Sequence, residues 1–273
     1  MCSYSFREEI LISGSPRIML FGGTGFLGSA LYQGLLKKDI EVSLVSRNLE
    51  ILREETVGQQ VGTVPTIFIS TAWISNSNKG YLFDDENFEW TKRHIEIAKY
   101  CLRNNFRLII PGTCLEYLER KDIPYIASKL KVLDYLQDNF PAHGFLWIRY
   151  FYIFSLNDRR PRLVAEALKS SEEERVFQVR SLEARHDYIE LQDAVRQTIE
   201  MIFNNYHGIW DIGSGSLRSN AQLLSKINGL QVESDIEHRE PYDLQVSWSG
   251  PAMKLIPNHS EFNISTDQFF GSL

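Results

Sequence analysis

The sequence predicts an α/β fold: a doubly wound parallel sheet with a small C-terminal lobe. Short apolar runs suited to buried strands alternate with segments whose apolar residues recur at helical spacing, the pattern of a sheet covered on both faces. The first such run passes through a glycine-rich turn directly into a helix. Beyond residue 155 the alternation loosens. Residues 1–155 therefore form the core, with 185–213 returning to it, and residues 156–184 and 214–273 form the lobe.

After a polar extension of about fifteen residues, Arg17-Ile18-Met19-Leu20-Phe21 reads as a buried strand. Gly22-Gly23-Thr24-Gly25-Phe26-Leu27-Gly28 is the turn, Ser29–Leu36 the helix, and Ile40–Val45 a second strand. Thr66–Ser70 and Arg107–Ile110 are further strands, separated by a helix through Ile95, Ile97, Ala98, Cys101 and Leu102. Pro124 suits a helix entry, so the next helix runs from Tyr125 to about Asn139. Phe145–Phe151 is the strand that follows it. In the lobe, Leu163–Leu168 is helix-like and Glu172-Glu173-Glu174-Arg175 reads as a solvated helix end.

The chain has 273 residues, 29 basic and 35 acidic, for a formal charge of −6. That balance argues against a nucleic-acid partner. With 43% hydrophobic and 23% charged residues the composition is that of a globular protein with a sizeable core. No apolar run is long enough to span a membrane, and the N-terminus has neither the basic start nor the apolar stretch of a signal peptide. The expected location is the cytoplasm, with no membrane partner. The three cysteines, Cys2, Cys101 and Cys114, are odd in number and lack ligand spacing, so neither a disulfide framework nor a metal site is expected.

Gly22, Gly25 and Gly28 lie between a strand and a helix. There they permit a tight turn, close approach of a pyrophosphate and helix–sheet contact, with the helix N-terminus offering its N–H groups. This is a Rossmann-type arrangement. Thr24, Phe26 and Leu27 in the turn, and Ala72 just past the Thr66–Ser70 strand, join the glycines as candidate cofactor contacts. At the end of the second strand, where a carboxylate would hold the ribose of NAD, stand Ser46 and Arg47. A guanidinium there can bind a 2′-phosphate, so the expected cofactor is NADP(H).

Tyr125 and Lys129 are four residues apart and share a helix face. A nearby cation stabilises the phenolate and brings the phenol toward a useful acidity, which makes the pair a workable proton donor. The same spacing recurs at Tyr117 and Lys121, but Tyr117 follows the strand end closely, with Glu119 and Arg120 inside its motif. Tyr125 opens an apolar helix and is followed by small residues. Thr113 lies at the carboxyl edge of the sheet, where its hydroxyl can polarise a carbonyl. Cys114 beside it reads as a packed thiol.

The glycine turn, Thr113, and Tyr125 with Lys129, in that order, resemble the extended short-chain dehydrogenase/reductase family, in its nucleotide-sugar branch. The likeness extends over roughly residues 17–230 through Asn87-Phe88-Glu89-Trp90-Thr91, Arg149-Tyr150-Phe151, His186–Ala194 and Gly208–Gly215. It implies that Tyr125 exchanges a proton with a sugar oxygen. Lys129 lowers the tyrosine pKa and holds the nicotinamide ribose, and Thr113 orients the carbonyl. It also implies a substrate-binding lobe, with Tyr152 and His186 where relatives carry Asn and Arg toward a nucleotide diphosphate. Arg185 is a candidate to compensate, and Arg159, Arg160 and Arg162 are further candidates for that diphosphate. The interval from Thr113 to Tyr125 is short (125 − 113 = 12), and about twenty residues between Ser46 and Thr66 leave the third strand lost or vestigial.

Within the branch, 4,6-dehydratases follow their threonine with Asp-Glu, where this chain has Cys114-Leu115. The expectation is therefore an NADPH-dependent reductase of a nucleotide-linked 4-keto-6-deoxy sugar, in deoxysugar biosynthesis. The alternatives are an NAD(P)-dependent nucleotide-sugar epimerase and a non-catalytic NADP(H)-binding sensor. Analogy also points to a homodimer through Tyr100 and Leu102 or Leu133 and Leu136.

Overall fold

The computed structural model describes residues 16–49, 65–74, 80–158, 160, 162–234 and 251–271. The N-terminal extension, Cys2, Arg159 and most of the interval in which a third strand was expected lost lie outside them. Strand β1 (Arg17–Phe21) leads into α1 (Phe26–Leu36), followed by β2 (Val42–Val45) and β3 (Thr66–Ser70). Next come α2 (Glu86–Arg103), β4 (Arg107–Thr113), a 3-10 turn at Cys114–Leu118, α3 (Pro124–Asn139) and β5 (Phe145–Tyr150). Then follow β6 (Tyr152–Phe154), α4 (Leu163–Glu172), β7 (Val176–Val179), β8 (Arg185–Glu190), α5 (Leu191–Phe203) and β9 (Gly208–Ile212). The chain continues through β10 (Leu217–Ser219), α6 (Asn220–Leu224), β11 (Gln231–Ser234) and α7 (Ile264–Phe270).

Six strands form a parallel sheet in the order β2-β1-β3-β4-β5-β9. Its strands are apolar on both sides because successive side chains alternate between two cores. Ile18 and Leu20 of β1, Ile69 of β3, and Leu146 and Ile148 of β5 join Leu31 and Leu35 of α1 and Val195 and Ile199 of α5 on one face. Met19, Phe21, Phe68, Leu108, Ile110 and Trp147 pack on the other against Ile97 and Cys101 of α2 and Val132 and Leu136 of α3. The expected doubly wound core is thus the observed one.

The second core also takes up the side chains named for a dimer contact. Tyr100, Leu133 and Leu136 are buried within it and Leu102 packs against it, because α2 and α3 cover one another on that face. The C-terminal strands and helices form the smaller lobe, in which α4 and α6 pack with β7 and β11. The Glu172–Arg175 run is exposed at the end of α4, as its charge predicts. No described helix is long and apolar enough to cross a membrane, and no described group of three or more His, Cys, Asp or Glu is placed to hold a metal.

Candidate active site

The chain leaves β1 for β2 on one side and returns to β3 on the other, so a crevice opens at the carboxyl edge between β1 and β3. It widens into a cleft of about 890 Å³ between the sheet and the lobe. Its floor at one end is the glycine turn. Gly22 has φ of +86°, and a Cβ there would stand 2.6 Å from the Ala72 backbone nitrogen and 2.7 Å from Thr71 Oγ1. A Cβ on Gly28 would lie 2.1 Å from the Gly22 carbonyl oxygen. Gly28 is accordingly buried beneath the turn and serves by lacking a side chain, while Gly22, Thr24, Gly25, Phe26 and Leu27 line the cleft.

The Gly25 N–H donates to the Gly22 carbonyl at 2.9 Å, closing the turn. Helix α1 starts with no side-chain cap and no acid in its first turn, so its leading N–H groups remain available to an anion. This cradle fits the pyrophosphate of a dinucleotide. Gly22→Ala is expected to weaken dinucleotide binding roughly 5- to 30-fold, since the left-handed conformation costs an L-residue about 1–2 kcal/mol. Titration with the dinucleotide checks this, and unchanged affinity would contradict the cradle.

Ser46 and Arg47 are exposed at the mouth, and the Ser46 hydroxyl donates to Asn48 Oδ1 at 2.6 Å. Facing this end of the cleft, α2 contributes Trp90 and Arg93, whose guanidinium lies 4.9 Å over the Trp90 ring. Sequence reasoning missed this pair as site residues. The Asn87–Thr91 stretch was recognisable, but which of its side chains faces the cleft depends on how α2 packs.

At the other end, β4 and α3 bring Thr113, Tyr125 and Lys129 together. Thr113 caps the 3-10 turn: the Leu115 N–H donates to its Oγ1 at 3.3 Å, and its own N–H donates to Glu116 Oε1 at 2.8 Å. The capped oxygen keeps its hydroxyl proton to donate, and the Thr113 hydroxyl also contacts the Tyr125 phenol. Glu116 is buried and accepts further bonds from Trp147 Nε1 and from Arg149 Nε at 2.8 Å. Gly112 makes room for this: a Cβ there would meet Trp147 Nε1 at 2.2 Å and Glu116 Oε1 at 2.5 Å.

Lys129 is buried on α3, donates to the Pro111 carbonyl at 2.7 Å and places Nζ 3.6 Å from the Trp73 ring centre and 5.8 Å from that of Tyr125. Burial pushes its ammonium down to about 7, with the Glu116 carboxylate acting in the opposite sense. Burial pushes the Tyr125 phenol well above its ordinary range, helped by Tyr81 and Glu116 and opposed by the Thr113 hydroxyl. Trp73 and Tyr81 stand edge-on to Tyr125 at 6.4 and 5.2 Å between ring centres. The neighbouring His94, held by Ser70 at 3.0 Å and the Trp90 carbonyl at 2.9 Å, is kept neutral by burial and by Lys129, its pKa lowered to about 3.

This aromatic wall was also unread in the sequence, although Trp73 follows the candidate Ala72 directly. Tyr117, by contrast, is outside the cleft and donates to Asp211 at 2.8 Å. Cys114 is a buried thiol raised by desolvation.

On the lobe side the cleft is lined by Tyr152, His186, Arg160 and Arg162. The Tyr152 and His186 rings lie 4.1 Å apart, and the Arg162 guanidinium stands 4.5 Å over Tyr81. Arg185 does not line the cleft. It precedes His186 on β8, so strand alternation turns it to the opposite side, where it is exposed and donates to the Leu217 carbonyl.

A family model, described as the NAD dependent epimerase/dehydratase family, matches residues 18–213. The chain belongs to this family. Among solved structures it is similar to a UDP-N-acetylglucosamine 4-epimerase from Methanobrevibacter ruminantium in complex with UDP-N-acetylmuramic acid. That match has 14% identity and a TM-score of 0.69 and covers 94% of this chain and 97% of that one. UDP-glucose 4-epimerase from Thermus thermophilus, in complex with NAD, matches at 16% identity and a TM-score of 0.63, over 94% and 100% of the two chains. A dTDP-glucose 4,6-dehydratase from Bacillus anthracis, also with NAD, matches at 12% identity and 0.57, over 93% and 98%.

At these identities the likeness shows the fold. The comparisons overturn the expected NADPH-dependent reductase of a 4-keto-6-deoxy sugar and its NADP(H) cofactor. The family is NAD-dependent, and NAD is the dinucleotide in those two similar structures. The physical reason the inference from Arg47 failed is visible at the site. An exposed guanidinium can also stack on an aromatic base or bond to ribose hydroxyls, so its presence does not require a 2′-phosphate.

Proposed function

We propose that this chain is an NAD-dependent epimerase of a nucleotide sugar, inverting a carbinol centre by reversible oxidation. The observation that carries the reading is the convergence of Thr113, Tyr125 and Lys129 at the end of a cleft whose other end is the glycine cradle. Gly22, Gly25 and the first N–H groups of α1 would hold the NAD pyrophosphate, Ala72, Ser46 and Arg47 the adenosine half, and Lys129 the nicotinamide ribose. When bound, the dinucleotide supplies reversible hydride acceptance.

Tyr125 takes the proton from the sugar hydroxyl as the carbonyl forms and returns it when the alcohol is restored. The Thr113 hydroxyl donates to the same sugar oxygen and fixes its position. The aromatic wall of Trp73 and Tyr81 excludes water from the pair. Cys114 and Leu115 are buried and provide no acid–base pair at the two positions after Thr113, which favours epimerisation over water elimination. Arg162, Tyr152 and His186 would face the nucleotide-bearing part of the substrate.

The proton inventory of the pair gives a pH expectation. Below about 7 both Lys129 and Tyr125 carry their protons. Above it Lys129 is neutral while Tyr125 keeps its proton, so the phenol can take the sugar proton only as it gives up its own to the amine. The rate of sugar oxidation is expected to rise with pH through about 7 and then level. Lys129→Met should move the rising limb upward, because the phenol then titrates alone in its raised position. A limb left in place by that variant would contradict the coupling.

The direct test of the function is incubation of the NAD-loaded protein with UDP-glucose, UDP-N-acetylglucosamine and UDP-glucuronic acid, followed by proton NMR. Inversion at one carbinol without net NADH release supports the reading. NAD binding with no turnover of any nucleotide sugar, or loss of water from the sugar, opposes it.

A further inference from the structure

We propose that Arg160 reaches from the lobe to bind the pyrophosphate of the bound dinucleotide, with Asp158 as its fixed bracket. The proposal rests on the NAD reading above. Arg160 belongs to the segment between β6 and α4, on the lobe side, yet its guanidinium stands 3.5 Å over the ring of Phe26, the first residue of α1. That places a lobe cation at the helix end from which the cradle's N–H groups emerge.

The arginine is held in place there. Its Nε donates to Asp158 at 2.9 Å, its Nη2 at 2.6 Å, and its backbone N–H to the same carboxylate at 3.0 Å. The Asp158 side chain is 5% exposed and that of Arg160 27%. Nη1 makes no hydrogen bond to any described residue and remains a donor for an anion in the cleft, where a guanidinium suits phosphate oxygens. Pre-ordering by Asp158 means little side-chain freedom is lost when the ligand arrives.

The same segment sorts two possible diphosphates. Arg162, two residues on, stands over Tyr81, whose ring touches the Tyr125 end of the cleft. Arg160 stands at the glycine turn. The geometry therefore gives Arg162 to the sugar side and Arg160 to the dinucleotide. Because Arg160 bridges lobe and core, it would also slow dissociation of the dinucleotide, which an enzyme that reuses one bound NAD each turnover requires.

The test measures binding of NAD, ADP and adenosine to wild type, Arg160→Ala and Arg160→Lys, and binding of UDP to the NAD-loaded proteins, with circular dichroism to verify folding. Loss of a charge-assisted bond to a diphosphate should weaken NAD and ADP binding roughly 10- to 100-fold in Arg160→Ala and speed NAD release similarly. Adenosine, which lacks the diphosphate, should be unaffected, and Arg160→Lys should recover part of the loss. Unchanged NAD and ADP affinity in a folded Arg160→Ala overturns the proposal. So does weakened UDP binding with NAD binding intact, which would assign the guanidinium to the substrate. A wild-type protein without affinity for NAD would overturn the cofactor reading and the clamp together, whereas a binding wild type with an unaffected variant overturns the clamp alone.

Discussion

Tyr125→Phe is expected to lower kcat by roughly 10²- to 10⁴-fold, the range lost when a positioned acid–base group is removed, while NAD and nucleotide-sugar binding persist. The phenol oxygen is the group beside the Thr113 hydroxyl at the carboxyl edge of the sheet, and Lys129 cannot replace it because its Nζ is held by the Pro111 carbonyl and the Trp73 face. The ring itself packs against Trp73 and Tyr81 through edge contacts that phenylalanine preserves, so the variant should melt like the wild type. Steady-state rates together with titration of both ligands separate the two effects. A variant with near-normal kcat would remove Tyr125 from the chemistry.

The second large effect is expected at Glu116, which does not itself line the cleft but supports Thr113, which does. Its carboxylate accepts from the Thr113 N–H, Trp147 Nε1 and Arg149 Nε, and its side chain is fully buried. Burial raises its pKa, opposed first by the Thr113 N–H and then by Arg149 and Trp147. Glu116→Ala strips a buried pair of one partner and leaves two buried N–H donors unsatisfied. That should cost about 3–5 kcal/mol of stability. It should also release Thr113 from its cap and depress kcat in whatever protein remains folded. Glu116→Gln keeps an acceptor for Thr113 and Trp147 and should lose less. Denaturant unfolding of the three proteins decides, and a wild-type midpoint for Glu116→Ala would contradict this role.

The sheet was legible because its strands are continuous apolar runs and its helices obey their own period, so local pattern and tertiary burial agree along β1, α1, β3, β4, α3 and β5. The glycine turn was legible for a related reason: the close approaches at positions 22 and 28 exclude every side chain, and such exclusions leave a mark in sequence. What escaped depends on packing across the cleft. Trp90 and Arg93 reach the site only because α2 lies against β1 and β3, and Trp73 because the chain past β3 lines the cleft. Glu116 could not be singled out because its partners Trp147 and Arg149 sit on a different strand.

Arg185 illustrates the converse. It adjoins His186 in sequence, but strand alternation sends the two side chains to opposite faces. The cofactor was misread because one exposed cation, Arg47, was asked to discriminate between dinucleotides that differ by one phosphate, a distinction the shape of the surrounding pocket also controls.

The central claim, oxidation and re-reduction at one sugar carbon served by Tyr125, is tested most directly with a nucleotide sugar carrying deuterium on the carbinol carbon that inverts. With the NAD-loaded protein, the account predicts that both epimers form, that deuterium stays on that carbon without exchange with solvent, and that reduced nicotinamide appears only transiently. Loss of the label to water during inversion, or inversion that proceeds unchanged in Tyr125→Phe, would contradict it.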